Sequence, residues 1–297
     1  MKIAFIYSYV QDEIWSTPLS LATEFQSRGW EVSIFSLLDS NGGYTDAGIQ
    51  LLLDRRAGGY YPDIIFYLDW GRFDSPLLDK GLFQGSYLIQ EAGDEPQNYV
   101  RNFSKSERFH HTFSPDYVST EKYKAAGRNA TWLTHFADTC VYFPMKITPK
   151  YQAVSTRGKA SSVILDRLQH HLGGAFKNES GYLGIAHGEA LQQGHIVVQH
   201  SRHGEITRRI FEAMACGKMV LTDRLDKSTH IEDLFQHGVD IVYYDSFEDL
   251  RNKLDYYTDH PEEREKIAFS GRMKVIGNHT QYQRVDAILK QFRLWKS

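Results

Sequence analysis

The sequence predicts an α/β protein made of two Rossmann-like, doubly wound domains. Three observations carry that prediction. The length of 297 residues is about twice what one domain of roughly 150 needs. Short apolar runs of strand length alternate with helix-period segments in both halves. Two of only eight prolines, Pro144 and Pro149, fall between one such series and the next. A break there gives an N-terminal domain over 1–147, a second over 148–280 and a terminal helix over 281–297.

Lys2 to Ser8 reads as a buried parallel strand. After a polar loop, Thr17-Pro18 pairs an N-cap residue with proline at the first helical position, so a helix starts there. Leu21, Ala22 and Phe25 give it one apolar face, Gly29 ends it, and Glu31 to Ser36 returns as the second strand. Runs at Pro62–Leu68, Ser86–Gln90, Phe109–Phe113 and Ala130–Leu133 extend the series into a parallel sheet.

The second series opens with a strand at Gln152–Ser155 and a turn, Arg157-Gly158-Lys159, into a helix. Ile164, Leu168 and Leu172 recur there every four residues, and Gly173-Gly174 stops it. Ile196–Val198, Met219–Leu221 and Ile241–Tyr244 are further strands, and a long helical tail follows Pro261.

Composition narrows the function. Hydrophobic residues at 41% and charged ones at 24% supply sizeable cores without a bias to disorder. A net charge of -3 excludes a global positive field of the kind that holds nucleic acid by phosphate attraction alone. Cys140 and Cys216 are too few for a disulfide framework and form no Cys-x-x-Cys pair, which fits a reducing cytoplasm. The N-terminal apolar run is too short for a signal peptide, and no run approaches the ~20 residues of a membrane span, so neither export nor membrane insertion is expected.

In open α/β sheets ligands bind beyond the carboxyl ends of strands. Two such places carry suitable chemistry. In Ser155-Thr-Arg157-Gly158-Lys159 a glycine admits close approach, two cations flank it and a helix N-terminus follows, a combination suited to a diphosphate. The other is the loop His203-Gly204-Glu205-Ile-Thr207, leading into a helix that Thr207 caps and Gly217 closes, followed by a strand and Thr222-Asp223.

The string Phe211-Glu212-Ala-Met-Ala-Cys216-Gly217, with its strand and Thr-Asp, resembles the nucleotide-sugar signature of retaining glycosyltransferases of the GT-B fold, within the glycosyl transferases group 1 family and its CgeB-like proteins. Gly271-Arg272 and His279-Thr280 with Tyr282 and Arg284 resemble that group's tail. The resemblance spans 152–289 and implies a nucleotide-sugar donor, UDP-sugar first, held by the second domain without a metal; no Asp-x-Asp motif is present. It also implies that the terminal helix returns to the first domain. Glu212 is then the acceptor for the ribose hydroxyls, Arg157, Lys159 and Arg208 stabilise the leaving diphosphate, and His203, Gly204, Thr207 and Gly158 line the donor. Many retaining members carry glutamate where this chain has Gly204, so Glu205 is the nearest sugar-side carboxylate.

The first domain is the acceptor side. Trp15, Tyr67 and Trp70 are candidates for stacking, and Asp69, Asp94, Glu95, His111 and His135 lie near strand ends, where an inverting enzyme needs its base. The sequence names no acceptor: glycan, lipid-linked sugar, protein, small molecule and modified nucleobase stay open. A sugar-nucleotide epimerase and a non-catalytic carbohydrate- or partner-binding module are the competing readings. A nicotinamide enzyme is disfavoured because the first βα turn lacks Gly-x-Gly-x-x-Gly.

Overall fold

The structure, a computed structural model, describes residues 1–9, 17–69, 72–157 and 162–297. Its elements run β1 (Lys2–Tyr7), α1 (Thr17–Ser27), β2 (Glu31–Ser36), α2 (Ala47–Ala57), β3 (Ile64–Leu68), β4 (Tyr87–Glu91), α3 (Tyr99–Lys105), β5 (His111–Ser114), α4 (Tyr117–Ala125) and β6 (Ala130–Trp132). They continue through β7 (Tyr151–Ser155), α5 (Val163–Leu172), β8 (Phe176–Asn178), α6 (Gly184–Gln192), β9 (Gly194–Gln199), α7 (Arg208–Ala215), β10 (Met219–Asp223), α8 (Ile231–Leu234), β11 (Val242–Tyr244), α9 (Phe247–Asp259), α10 (Pro261–Asn278) and α11 (Gln281–Lys296).

The first sheet has the order β2-β1-β3-β4-β5-β6 and is parallel throughout. Helices cover both faces of such a sheet, so its strands are apolar at successive positions instead of alternating. Ile3, Ala4, Phe5 and Ile6 are all fully buried, as are Ile64 and Ile65. Phe5 lies opposite Phe66 in the register and contacts Phe25 of α1 edge-on. β3 starts at Ile64 and not at Pro62, because proline has no N–H for the ladder.

The second sheet has the order β11-β10-β9-β7-β8, again parallel. Its core joins Leu165 and Leu168 of α5 to Ile196, Val198, Met219, Leu221 and Val242 from the strands. Strand β8 has no counterpart in the sequence reading: it is a three-residue edge strand following Gly173-Gly174, too short to show a period.

Contacts divide the chain into one unit of Met1–Thr134 with Tyr282–Ser297 and another of His135–Gln281. The strip through Pro144 and Pro149 therefore packs with the second unit. Ala137 bridges Thr280 and donates its N–H to His279 O at 3.0 Å, the Thr139 N–H reaches Gln281 Oε1, and the Met145 N–H reaches Gln192 Oε1 at 2.7 Å. In the first unit α11 buries Val285, Ile288 and Phe292, with Phe292 against Trp30 and Tyr87. Arg284 is deeply buried there and donates to Thr134 O at 2.8 Å; burial pushes its pKa down to about 10.

The tail motif is structural. A Cβ on Gly271 would stand 2.4 Å from Asp240 O, so only glycine lets α10 approach so closely. The His279 ring packs against Phe211 and Phe235 at 5.4 and 5.6 Å between centroids. No helix among the described residues is long and apolar enough to cross a membrane.

Candidate functional site

The strand order of the second sheet reverses between β7 and β9, and the crevice at such a reversal is where ligands bind. Arg157, just past β7, is 6% exposed and sends Nη1 across this point to the carbonyls of His200 and Ser201, just past β9. Further contacts fix the mouth. The Ser201 N–H donates to Asp223 Oδ1 at 2.8 Å, and Tyr244 Oη donates to Gln199 O at 3.1 Å. The His200 ring stacks on Tyr244, with Nδ1 3.0 Å from Tyr244 Oη; burial holds its pKa below the usual value.

The loop from there to α7 is shaped by its own residues. Gly204 has φ of 74°, a left-handed backbone, and donates its N–H to Ser201 Oγ. A glutamate at this position would be strained, which accounts physically for the departure from the common pattern. Glu205 is turned back on the loop: its carboxylate accepts from the N–H groups of Arg202 at 3.3 Å and His203 at 2.6 Å. His203 is exposed. Thr207 occupies the N-cap of α7 with extended backbone, but its side chain makes no cap bond, contrary to the sequence expectation. Its Oγ1 is buried without a partner among the described residues, so this hydroxyl does not cap the N-terminus of α7.

Arg202 and Arg209 lie close enough to disfavour the charge of Arg157: its pKa is lowered by burial, then by Arg202 and Arg209, and that of Arg209 is lowered by burial, with Glu212 opposing and Arg202 adding to the shift. Arg209 has no hydrogen-bond or salt-bridge partner among the described residues, its nearest compensation being the field of Glu212 and Glu205. Sequence reasoning passed over it for Arg208; the doubled arginine at a helix start was the available signal.

Arg208 does something else. Its Nε lies 2.8 Å from Glu212 Oε1, one helical turn on. Glu212 is 4% exposed, not the cleft-facing surface carboxylate that its place on an amphipathic helix suggests. His187 of α6 stands 3.5 Å from Glu212 and 3.2 Å from Tyr142 Oη, and its Nε2 is 2.8 Å from Thr156 Oγ1. Burial keeps His187 neutral, overriding the pull of Glu212. Glu212 is thus the hub of a buried polar cluster tying α7 to α6 and to the end of β7. A recess of about 460 Å³ nearby, at the ends of β9 to β11, is lined by Asp223, Asp226 and Asp245 against Arg224. That sign of charge repels a phosphate. Among the described residues no group of three His, Cys, Asp or Glu side chains is placed to hold a metal.

Gly158, Lys159, Trp15 and Trp70 lie outside the described residues. In the first unit, Asp69 is 1% exposed and ion-paired with Lys105 Nζ at 2.6 Å. Tyr67 is buried too, stacked on Phe109 with its hydroxyl on Phe73 O, so it is a core residue with no face for stacking a ligand. His111 is buried on Thr131 Oγ1, and burial pushes its pKa down to about 4. His135 belongs to the second unit. Asp94 takes a left-handed backbone with φ of 54°.

Glu95, beside it, is 4% exposed and accepts from Ser114 Oγ, Tyr123 Oη at 2.6 Å and Asn102 Nδ2 at 3.3 Å. Burial raises its pKa to about 7, although the three donors pull the other way. A folded-state pKa above the unfolded 4.5 means that the native state alone keeps the proton between those values. Stability then falls as pH rises through about 4.5 to 7, by at most about 3 kcal/mol. Urea midpoints should show that slope in the wild type and lose it in Glu95→Gln; an unchanged slope in the variant would assign the pH dependence elsewhere.

Residues 165–290 match the family described as glycosyl transferase-like. No curated protein matches the chain in sequence. Among solved structures the chain is similar to HepE of Anabaena in complex with UDP and glucose, at 12% identity, TM-score 0.67 and 99% coverage of both chains. A glycosyltransferase from Rickettsia africae aligns at 12% identity and TM-score 0.68, over 98% of this chain and 97% of that one. Sucrose-phosphate synthase of Thermosynechococcus elongatus aligns at 10% identity and TM-score 0.65, over 99% and 98%. The likeness over the full length of these chains shows a two-sheet α/β chain of the GT-B fold, whose residues 165–290 are similar to the glycosyl transferase-like family.

Proposed function

We propose that the protein transfers a sugar from a UDP-sugar to an acceptor hydroxyl, without a metal and with retention of anomeric configuration. The observation that carries this is the arginine cluster at the β7/β9 reversal: Arg157, Arg202 and Arg209 lie near one another, with Arg209 in no hydrogen bond or salt bridge among the described residues and met only by the field of Glu212 and Glu205. Burying unmatched cations is costly, and a diphosphate supplies the missing charge. HepE, of the same fold, has been seen with UDP, with UDP and glucose, and with UDP-glucose.

In this reading the bond from the anomeric carbon to the β-phosphate oxygen breaks, and a bond to the acceptor oxygen forms on the same face. The acceptor proton leaves with UDP. Charge gathering on the diphosphate meets the arginines and the α7 N–H groups, which act where charge develops. Glu205 holds the loop ahead of α7, Lys159 is the further cation that the sequence offers to the diphosphate, and Glu212 accepts from the ribose hydroxyls. The free thiols of Cys140 and Cys216 fit a reducing cytoplasm.

Calorimetry of UDP against the whole chain in excess chelator tests the site. Binding is expected to persist, and Arg209→Met to weaken it about ten- to a hundredfold, the loss of one charged hydrogen-bonding partner. Binding that vanishes in chelator and returns with a divalent cation would overturn metal independence; equal affinity in Arg209→Met would remove the diphosphate from this cluster. The anomeric configuration of the first-formed product, read by NMR, decides retention.

A further inference from the structure

The amino ends of β4, β5 and β6 in the first unit carry a groove that the donor chemistry does not use. Two depressions of about 450 Å³ each adjoin there and share His110, Arg128, Asn129 and Trp295. Strands of four and five residues place it about 15 Å from the carboxyl ends, where a sheet of this kind binds its principal ligand. The floor is aromatic. Trp295 of α11 lies 5.1 Å from Tyr87 and 5.2 Å from His110, centroid to centroid, and is part-exposed.

The charged rim is cationic on balance, with Lys80, Lys124 and Arg128 against Glu107. His110 Nδ1 accepts the Leu88 N–H at 3.0 Å, so the neutral ring carries its proton on Nε2 and can only donate there. Burial and the nearby Lys80 ammonium both keep the ring neutral. Lys80 is exposed and has no salt-bridge partner among the described residues. Arg128 pairs with Glu107 at 2.7 Å and Lys124 with Glu121 at 2.8 Å, so the rim keeps a net positive charge. A half-exposed aromatic face takes up the C–H side of a pyranose ring, and donors with an unmatched cation select an anionic substituent.

We propose that this groove binds an acidic saccharide, with a sugar ring against Trp295 and a carboxylate or phosphate against Lys80 and His110 Nε2. The inference stands independently of the donor reading, since none of its residues belongs to the second unit. It is tested on the whole chain by following the Trp295 indole N–H in 1H–15N spectra, assigned through Trp295→Phe. Probes are glucuronic acid, glucose 6-phosphate, glucose and inorganic phosphate.

Either acidic sugar is expected to shift the Trp295 resonance with a millimolar Kd, with glucose and phosphate at least about tenfold weaker. Which of the two binds more tightly identifies the substituent. Lys80→Ala, an exposed change that leaves the fold alone, should weaken the acidic sugar about fivefold or more, and saturating UDP should leave its affinity unchanged. Absence of any shift up to about 50 mM would overturn the proposal. So would equal binding of glucose, which makes the site neutral, equal binding of inorganic phosphate, which makes it an anion site only, or indifference to Lys80→Ala.

Discussion

Glu212→Gln is expected to lower UDP affinity about ten- to a hundredfold, the consequence of replacing a carboxylate that accepts two charged or hydroxyl donors by an amide that offers one acceptor. Glu212→Ala should do this and also destabilise the protein. Glu212 is buried, and its loss leaves Arg208 beside an empty space and His187 and Tyr142 without their acceptor. Removing one partner of a buried pair costs about 3 to 5 kcal/mol where burial is complete, and Arg208 is 17% exposed, so about 2 to 3 kcal/mol is expected. Calorimetry with UDP and chemical denaturation of both variants separate the effects. If Glu212→Gln bound UDP as wild type while Glu212→Ala unfolded readily, Glu212 would be a structural hub and nothing more.

That hub shows where the sequence stopped being informative. The two sheets were legible because buried parallel strands are continuous apolar runs and few other segments look like Ile3–Tyr7 or Met219–Leu221. Strand β8 was not, since Phe176–Asn178 offers one apolar residue and depends on pairing with β7. Prolines mark irregular backbone, and irregular backbone need not be a linker. Here it is pinned to α6 through Gln192.

In the candidate site, Arg157 and the α7 loop were picked for their positions after strands. Arg209 was not, because the neighbouring Arg208 fits the family string, and which of two adjacent helical residues faces a strand end depends on packing. Asp69 and Glu95 were picked for lying after strands. Both turned out to be internal: position in sequence says where a residue emerges, whereas Lys105 and Tyr123, distant in the chain, decide what it meets.

Lys105→Met is accordingly expected to destabilise the first unit by about 3 to 5 kcal/mol, since it strands the Asp69 carboxylate in a buried site. Lys105 is 2% exposed and Asp69 1%. Lys105 Nζ also donates to Phe73 O at 2.9 Å, while Asp69 Oδ2 accepts the Phe73 N–H at 2.9 Å, so the pair closes the turn after β3 as well as neutralising itself. Burial lowers the Lys105 pKa, and the neighbouring Asp69 opposes that shift. The double variant Lys105→Met with Asp69→Asn removes both charges and keeps an acceptor and donor at the turn. It should recover half or more of the lost stability, because two well-packed neutral groups replace a pair whose desolvation offsets much of its attraction. Urea denaturation of these two variants and of Asp69→Asn alone measures the coupling directly. Equal losses in the single and the double variant would mean that Lys105 acts through packing on Tyr67, 5.1 Å from its ammonium, and that the charge of Asp69 is held by other groups around it.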